Sequence, residues 1–105
     1  MDALAPRASL ADVQDYVAKM EVERGLDHLD IDSQCLKLGE EVGELYRSVR
    51  KANGDPSDPN GRVVDIAEEC ADVLILVASI ANRKGIDLEA AFRAKEAKNN
   101  HRTWV

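Results

Sequence analysis

The sequence predicts an all-α protein whose four helices form a four-helix-bundle-type fold. Three observations predict it. Apolar residues recur at steps of three and four along four segments, no segment alternates as a half-buried strand does, and turn residues separate the segments. The chain has 105 residues, the size of one domain, so we predict a single domain over residues 1–105 with a loose N-terminus at residues 1–8.

The first two helices follow from cap residues and apolar spacing. Ser9 opens the first helix, with Asp12 three residues on in a capping-box-like arrangement, and Gly25 stops it. The second helix is predicted from about Asp32 to Lys51. Its apolar stripe has the spacing of a bundle seam and consists of Cys35, Leu38, Val42, Leu45 and Val49.

Two glycines lie inside the second helix. Gly39 and Gly43 are four residues apart and share one face, and each costs about 1 kcal/mol relative to alanine. They indicate either close helix packing or room for a ligand beside the neighbouring glutamates. Cys35 and Cys70 are predicted to be buried as small apolar residues, as is typical of a reducing cytosol.

The second half of the chain begins with a loop. Residues 53–61 are rich in Asn, Gly, Asp and Pro and are predicted to form it. A third helix is predicted over residues 62–83, and its apolar run 73–81 places it at the centre of a bundle or against a partner subunit. Asp87 caps a fourth helix that runs to about Asn100, and the short connection predicts that helices three and four are antiparallel neighbours.

Composition limits the classes of function. The net charge of −6 argues against nucleic acid as the main partner, because phosphate backbones need a basic surface. No apolar run is long enough to span a membrane, and no signal peptide is visible, so we predict a cytoplasmic protein without a membrane partner.

The chemically informative residues are acids within helices two and three. Residues three or four apart share a helix face, so Glu41 and Glu44 project together, with Glu40 beside Glu44. Glu69 and Asp72 project together likewise. Each pair flanks the apolar seam of its helix, so packing of the two seams brings the two pairs face to face.

Such a cluster of acids is costly without a cation. Two carboxylates about 5 Å apart repel by about 3 kcal/mol at an effective dielectric near 20. Their pKa values must rise, or a cation must neutralise them, and oxygen ligands favour Mg²⁺, Mn²⁺ or Ca²⁺. The alternative is that these acids form a solvated face or ion pairs, as Lys37 could with Glu41.

A second polar stripe lies at the end of the chain. Lys95, Asn99 and Arg102 share one face if helix four continues that far, and they either bind phosphate or complement the helix dipole. Trp104 either stacks on a base or anchors the terminus by packing. His28 and His101 are interpreted as ordinary surface or cap residues.

The two acid pairs resemble a known signature. Glu41-Val42-Gly43-Glu44, followed after a loop by Glu69-Cys70-Ala71-Asp72, is similar to the ExxE…ExxD pattern of MazG-like all-α nucleoside triphosphate pyrophosphohydrolases. The flanking runs 37–45, 68–75 and 85–88 and the terminal Lys/Asn/Arg stripe also resemble that family. The resemblance covers residues 9–104.

The resemblance implies a homodimer or homotetramer that hydrolyses a nucleoside triphosphate to a monophosphate and pyrophosphate in nucleotide-pool housecleaning. It implies Mg²⁺, with Mn²⁺ as a substitute, bound by Glu41, Glu44, Glu69 and Asp72. Glu40 is implied as a further ligand or as the base that activates water, a catalytic role that Glu41 shares. The implied substrate contacts are Lys37, Lys95, Asn99, Arg102 and Trp104.

Two alternatives remain open at the level of sequence. The family's relatives include phosphoribosyl-ATP pyrophosphatases, and the metal motif does not separate them from enzymes acting on nucleoside triphosphates. A non-catalytic helical module that binds nucleotide or a partner would keep the same acids without turnover.

Overall fold

The computed structural model describes residues 1–54 and 65–103. This part of the chain contains no strand, and none of its helices has the length and hydropathy needed to cross a bilayer. The all-α prediction is confirmed. The four helices are α1 (Leu10–Glu23), α2 (Ile31–Ala52), α3 (Ile66–Arg83) and α4 (Leu88–Asn99).

Side chains that accept hydrogen bonds fix where the helices begin. The predicted capping box is present, because Ser9 Oγ accepts from the Asp12 N–H at 3.0 Å and Asp12 Oδ2 accepts from the Ser9 N–H at 3.0 Å. Asp30 and Asp87 cap α2 and α4, because the side chain of each accepts a hydrogen bond from the backbone N–H three residues on. The described part of the third helix begins at Ile66, where the Asp65 carboxylate accepts from the Ala67 N–H and caps α3. The predicted start at residue 62 lies outside the described residues.

Glycines in the left-handed region end α1 and α3. Gly25 has φ 70° and Gly85 has φ 63°, a conformation that costs little only for glycine. After Gly25 the Leu26 N–H returns to the Glu21 carbonyl at 2.8 Å, and after Gly85 the Ile86 N–H returns to the Ala81 carbonyl at 2.9 Å. Both are Schellman endings.

α3 is the central helix, as its apolar run predicted, and α1 and α2 both pack on it. Burial is nevertheless incomplete, since Leu74 remains 43% exposed. The buried apolar residues of the described chain are only Val17, Met20, Ala78 and Ala81. Such a small core contributes little stability by itself.

α4 packs chiefly on α1, so the prediction that its close neighbour is α3 is wrong. Gln14 of α1 is the reason. Its side-chain amide donates to the Ile86 carbonyl at 2.7 Å and to Asn82 Oδ1 at 3.0 Å, and it accepts from the Leu88 N–H at 2.9 Å. These bonds hold the α3–α4 connection against α1, and an open groove remains between α3 and α4.

Three predictions about the helix surfaces need correction or completion. Cys35 and Cys70 are exposed. For Cys35 the reason is that the face of α2 that meets α3 is rotated by one residue from the predicted seam, and on α3 the neighbouring Glu69 is buried instead of Cys70. A Cβ at Gly39 or Gly43 would meet nothing within 4 Å, so these glycines do not serve close packing within residues 1–54 and 65–103. Residues 55–61 of the predicted loop lie outside the described residues.

Candidate active site

The face of α2 that meets α3 is lined with polar residues. Gln34 and Ser48 are buried, and Glu41 lies half-buried between them. Positions 34, 38, 41, 45 and 48 step by four and three, which is the spacing of one helix face. Because α3 is the neighbour on this face, the side chains meet the polar residues of α3 rather than an apolar seam.

Three acids converge between α2 and α3. Oxygens of Glu41, Glu69 and Asp72 all lie within 4.8 Å of one another. Glu69 is buried at 3% exposure, whereas Asp72 is exposed. The expectation that acid pairs from the two helices face each other therefore holds for these three residues.

Glu41 carries the electrostatic cost of the cluster. Burial raises the pKa of the Glu41 carboxyl above its ordinary value, and the charge of Asp72, a hydrogen bond with Glu69 and the charges of Glu69 and Glu44 raise it further. A group with a raised pKa holds its proton more tightly than in water. The cluster is consequently poorly stable as a set of ionised acids.

Two carboxylate oxygens in this region have no hydrogen-bond partner within residues 1–54 and 65–103. They are Glu69 Oε2 and Glu44 Oε2, and both are buried. Buried acceptors normally have a partner, because an unpaired one costs about 1–3 kcal/mol. Glu69 is one of the three converging acids, so its unpaired oxygen fits a hard divalent cation such as Mg²⁺ or Mn²⁺. Glu44 Oε2 lies 4.0 Å from the Arg47 guanidinium and is not part of the three-acid cluster.

The neighbouring residues of α2 are arranged differently. Glu44 forms a 4.0 Å ion pair with Arg47, three residues on, and lies at the edge of the three-acid cluster. Glu40 is exposed and lies outside it. No ion pair joins Lys37 to Glu41 within the described chain. Lys37 instead lines a cavity together with Asp72.

That cavity, called here the interhelical cavity, lies among α1, α2 and α3. Its volume is about 190 Å³. Asp72 and Lys37 line it near the acids, and the walls toward α1 include Met20, Gln34 and Ile75. Because Asp72 belongs both to the cavity and to the cluster, the cavity adjoins the cluster.

A buried polar network borders the cavity, and the sequence reasoning missed it. Arg83 donates to both oxygens of Glu21, at 3.1 and 2.7 Å, and to Ser79 Oγ at 2.6 Å. Ser79 Oγ donates to Glu21 Oε1 at 3.0 Å and accepts from Gln34 Nε2 at 2.9 Å. The signal in the sequence that could have revealed this network is the presence of polar residues at those positions of α2 that have the spacing of a buried helix face.

The C-terminal stripe is only partly realised. Lys95 lies on α4 in the groove toward α3, and Asn99 is the last residue of that helix, where its amide donates to Glu96 Oε1 at 3.1 Å. α4 ends at Asn99, close to the predicted end at about Asn100, and a turn follows. The condition under which Arg102 would share the helical stripe is therefore not met. Trp104 lies outside the described residues.

Residues 30–104 match the model of the MazG nucleotide pyrophosphohydrolase domain. The chain belongs to this family. The match begins at the cap of α2 and includes all the acids of the cluster, and it leaves out α1, whose Glu21 belongs to the buried network of this MazG domain.

Two proteins of Cyanophage S-2L are similar to this MazG domain. A dATP/dGTP diphosphohydrolase is 43% identical over 69 residues, which are 66% of this chain and 53% of the relative, so the matched part spans about half of its length. The solved structure of a MazG-like pyrophosphohydrolase bound to dGDP and three catalytic Mn²⁺ ions per active site is 31% identical. The superposition of the two structures has a TM-score of 0.72 and covers 96% of this chain and 87% of the cyanophage chain.

Proposed function

We propose that this MazG domain hydrolyses a nucleoside triphosphate at the α–β phosphoanhydride, with Mg²⁺ or Mn²⁺ bound, and releases a monophosphate and pyrophosphate. The observation that carries the proposal is the convergence of Glu41, Glu69 and Asp72 within 4.8 Å. Membership of the family gives that cluster its expected chemistry.

We assign Glu41, Glu44, Glu69 and Asp72 to the divalent cation. The unpartnered oxygens of Glu69 and Glu44 and the raised pKa of Glu41 support this assignment, because each is a cost that a cation would offset. The Mn²⁺ ions named for the similar cyanophage structure support it as well. When bound, such a cation offsets phosphate charge and lowers the pKa of an attacking water.

The remaining side chains have proposed roles around that centre. Glu40 is exposed on α2 beside Glu41 and serves as a further ligand or as the base that accepts the water proton, a role that Glu41 shares. Lys37, in the cavity with Asp72, contacts the substrate phosphates. Lys95, Asn99, Arg102 and Trp104 stay proposed substrate contacts.

Nucleotide-pool housecleaning is the proposed role, with deoxypurine triphosphates as the first substrates to test. The support is the name of the similar dATP/dGTP diphosphohydrolase and the dGDP in the similar structure.

Product analysis by anion-exchange chromatography tests the reaction. Ribo- and deoxynucleoside triphosphates are incubated with the protein in Mg²⁺, in Mn²⁺ and in EDTA. We expect monophosphate and pyrophosphate only when a divalent metal is present. Diphosphate and orthophosphate would contradict the bond assignment. Turnover of phosphoribosyl-ATP alone would favour a phosphoribosyl-ATP pyrophosphatase. Binding of nucleotide without products would favour a non-catalytic module.

We also propose that the chain works as a homodimer or homotetramer. The groove between α3 and α4 is lined mainly by apolar side chains, among them Leu74, Val77 and Phe92. Phe92 is 64% exposed, and exposed apolar surface of this kind favours association. A second copy covering the groove would enlarge a core that has four buried apolar residues in the described chain.

Light scattering after gel filtration tests the assembly. We expect the unmodified chain to elute as a dimer or tetramer and the Leu74→Lys/Phe92→Asp variant to elute as a smaller species, because charges in the groove oppose its burial. Val22→Lys, which charges a similarly exposed apolar residue of α1, is the control and should keep the assembly. A monomeric unmodified protein at micromolar concentration would contradict the proposal.

A further inference from the structure

A single acceptor atom at the far end of the interhelical cavity leads to a prediction of base specificity. Gln34 is 4% exposed and lines the cavity, and its Oε1 has no hydrogen-bond partner in the described part of the chain. Polar side chains buried to this degree are normally satisfied. The unsatisfied atom is an oxygen, so it needs a donor.

The buried network determines which end of the Gln34 amide is unpaired. Glu21 is the ion-pair partner of Arg83 at 2.7 Å and, as a carboxylate, can only accept. The Ser79 hydroxyl donates its proton to Glu21 and therefore has none left for Gln34. It accepts from Gln34 Nε2 at 2.9 Å. The opposite orientation of the amide would place two acceptors against each other, so Oε1 is the end of the amide that is left without a partner in the described residues.

The position of this oxygen matches the length of a nucleotide. Gln34 and Glu41 are seven residues apart on α2, as are Ser79 and Asp72 on α3. At 1.5 Å per residue both spacings correspond to about 10 Å along the helix axes. A phosphate held at the acids thus directs the base, rather than the nearer sugar hydroxyls, toward Gln34.

The shape of the cavity also suits a base. A volume of about 190 Å³ greatly exceeds what a single bridging water needs. Val17, Met20, Ile75 and Leu76 provide apolar walls around the polar end at Gln34, and planar bases pack against apolar walls while polar groups at the edge fix their orientation.

We propose that the interhelical cavity binds the nucleobase and that Gln34 Oε1 accepts a hydrogen bond from its exocyclic amino group. The inference rests on the proposed nucleotide hydrolysis and adds to it a substrate class: nucleotides whose base has an amino group at the end opposite the sugar. Gln34 is then a specificity residue and takes no part in the chemical step.

The test compares two uncleavable ligands that differ by one amino group. The α,β-methylene analogue of dATP and its counterpart without the 6-amino group are titrated calorimetrically into the Mg²⁺-loaded protein. We expect the amino ligand to bind about tenfold more tightly, which is the range for satisfying one buried acceptor. Gln34→Met has a similar length and no acceptor, so it should bind the two ligands equally.

Gln14→Met is the matched control. Gln14 is also a buried glutamine, but both ends of its amide are paired with residues outside the cavity. This variant should melt at a lower temperature and keep the tenfold ratio. If the Gln34→Met variant fails to fold, the comparison of the two ligands on the unmodified protein still tests the proposal, because equal affinities there would overturn it.

Several outcomes would overturn the inference. Equal affinities on the unmodified protein, or a ratio that survives in Gln34→Met, would do so. The ratio of the affinities for the amino ligand and the ligand without the amino group can also be measured with 2′,3′-dideoxy analogues. A ratio that depends on the 3′-hydroxyl would assign Gln34 Oε1 to the sugar and overturn the base assignment. Release of pyrophosphate from dATP without selectivity would overturn this inference alone. Selective binding without turnover would support it and overturn the proposed hydrolysis.

Discussion

Replacing Glu41 by glutamine is expected to reduce Mg²⁺-dependent pyrophosphate release by about a thousandfold or more, since a bound metal supplies several kcal/mol of charge stabilisation. The fold should survive, because glutamine has nearly the same shape and removes one charge from a cluster of acids. In EDTA the variant should melt at a higher temperature than the unmodified protein. Pyrophosphate release and thermal melting are the measurements.

The pH dependence of stability gives the same substitution a second readout. The pKa of Glu41 in the folded protein is raised above its ordinary value of 4.5. Between pH 4.5 and the raised pKa, the folded state therefore binds more protons than the unfolded state. The free energy of unfolding of the metal-free protein should therefore fall as pH rises through this interval. Glu41→Gln and added Mg²⁺ should each flatten the fall.

Glu89→Gln serves as the control for both readouts. Glu89 is exposed on α4 and pairs with Arg93 at 3.9 Å, so the same chemical change there should leave turnover and the pH profile unaltered. Full activity in Glu41→Gln would reject the assigned metal site. A lower melting temperature in EDTA would mean that the carboxylate stabilises the fold.

The largest loss of stability is expected from Arg83→Met. Arg83 neutralises the buried Glu21 at 2.7 Å and donates to the Leu29 carbonyl at 2.7 Å and the Leu26 carbonyl at 3.2 Å. Its removal leaves a buried carboxylate without a partner, which costs about 3–5 kcal/mol. Urea unfolding measures the free energy of unfolding.

The chain offers a matched comparison for that result. Arg93→Met breaks the exposed ion pair with Glu89, and such pairs contribute about 0–1 kcal/mol, so this variant should unfold almost as the unmodified protein does. Glu21→Gln combined with Arg83→Met should recover part of the lost stability, because the unpaired charge is gone. Equal stabilities of Arg83→Met and Arg93→Met would contradict the role assigned to the buried pair.

Local rules account for the features that the sequence predicted correctly. The Ser9–Asp12 capping box, the Asp87 cap and the ending at Gly25 each depend on residues within a few positions of one another. The acid spacing was equally local, since a period of 3.6 places Glu69 and Asp72 on one face wherever the helix lies. The apolar run of α3 indicated the central helix because continuous apolar surface needs neighbours.

The sequence by itself therefore determined an all-α chain, its helix ends and a pair of acidic helices with the pattern of the MazG family. Only the tertiary structure decided which face of α2 meets α3, because a stripe beginning at Gln34 and one beginning at Cys35 have the same spacing and differ by one residue of rotation. It also decided that Gln14 draws α4 to α1 and that Arg83 reaches Glu21. Hydrogen bonds between residues more than forty positions apart fix these choices, and no periodicity in the sequence records them.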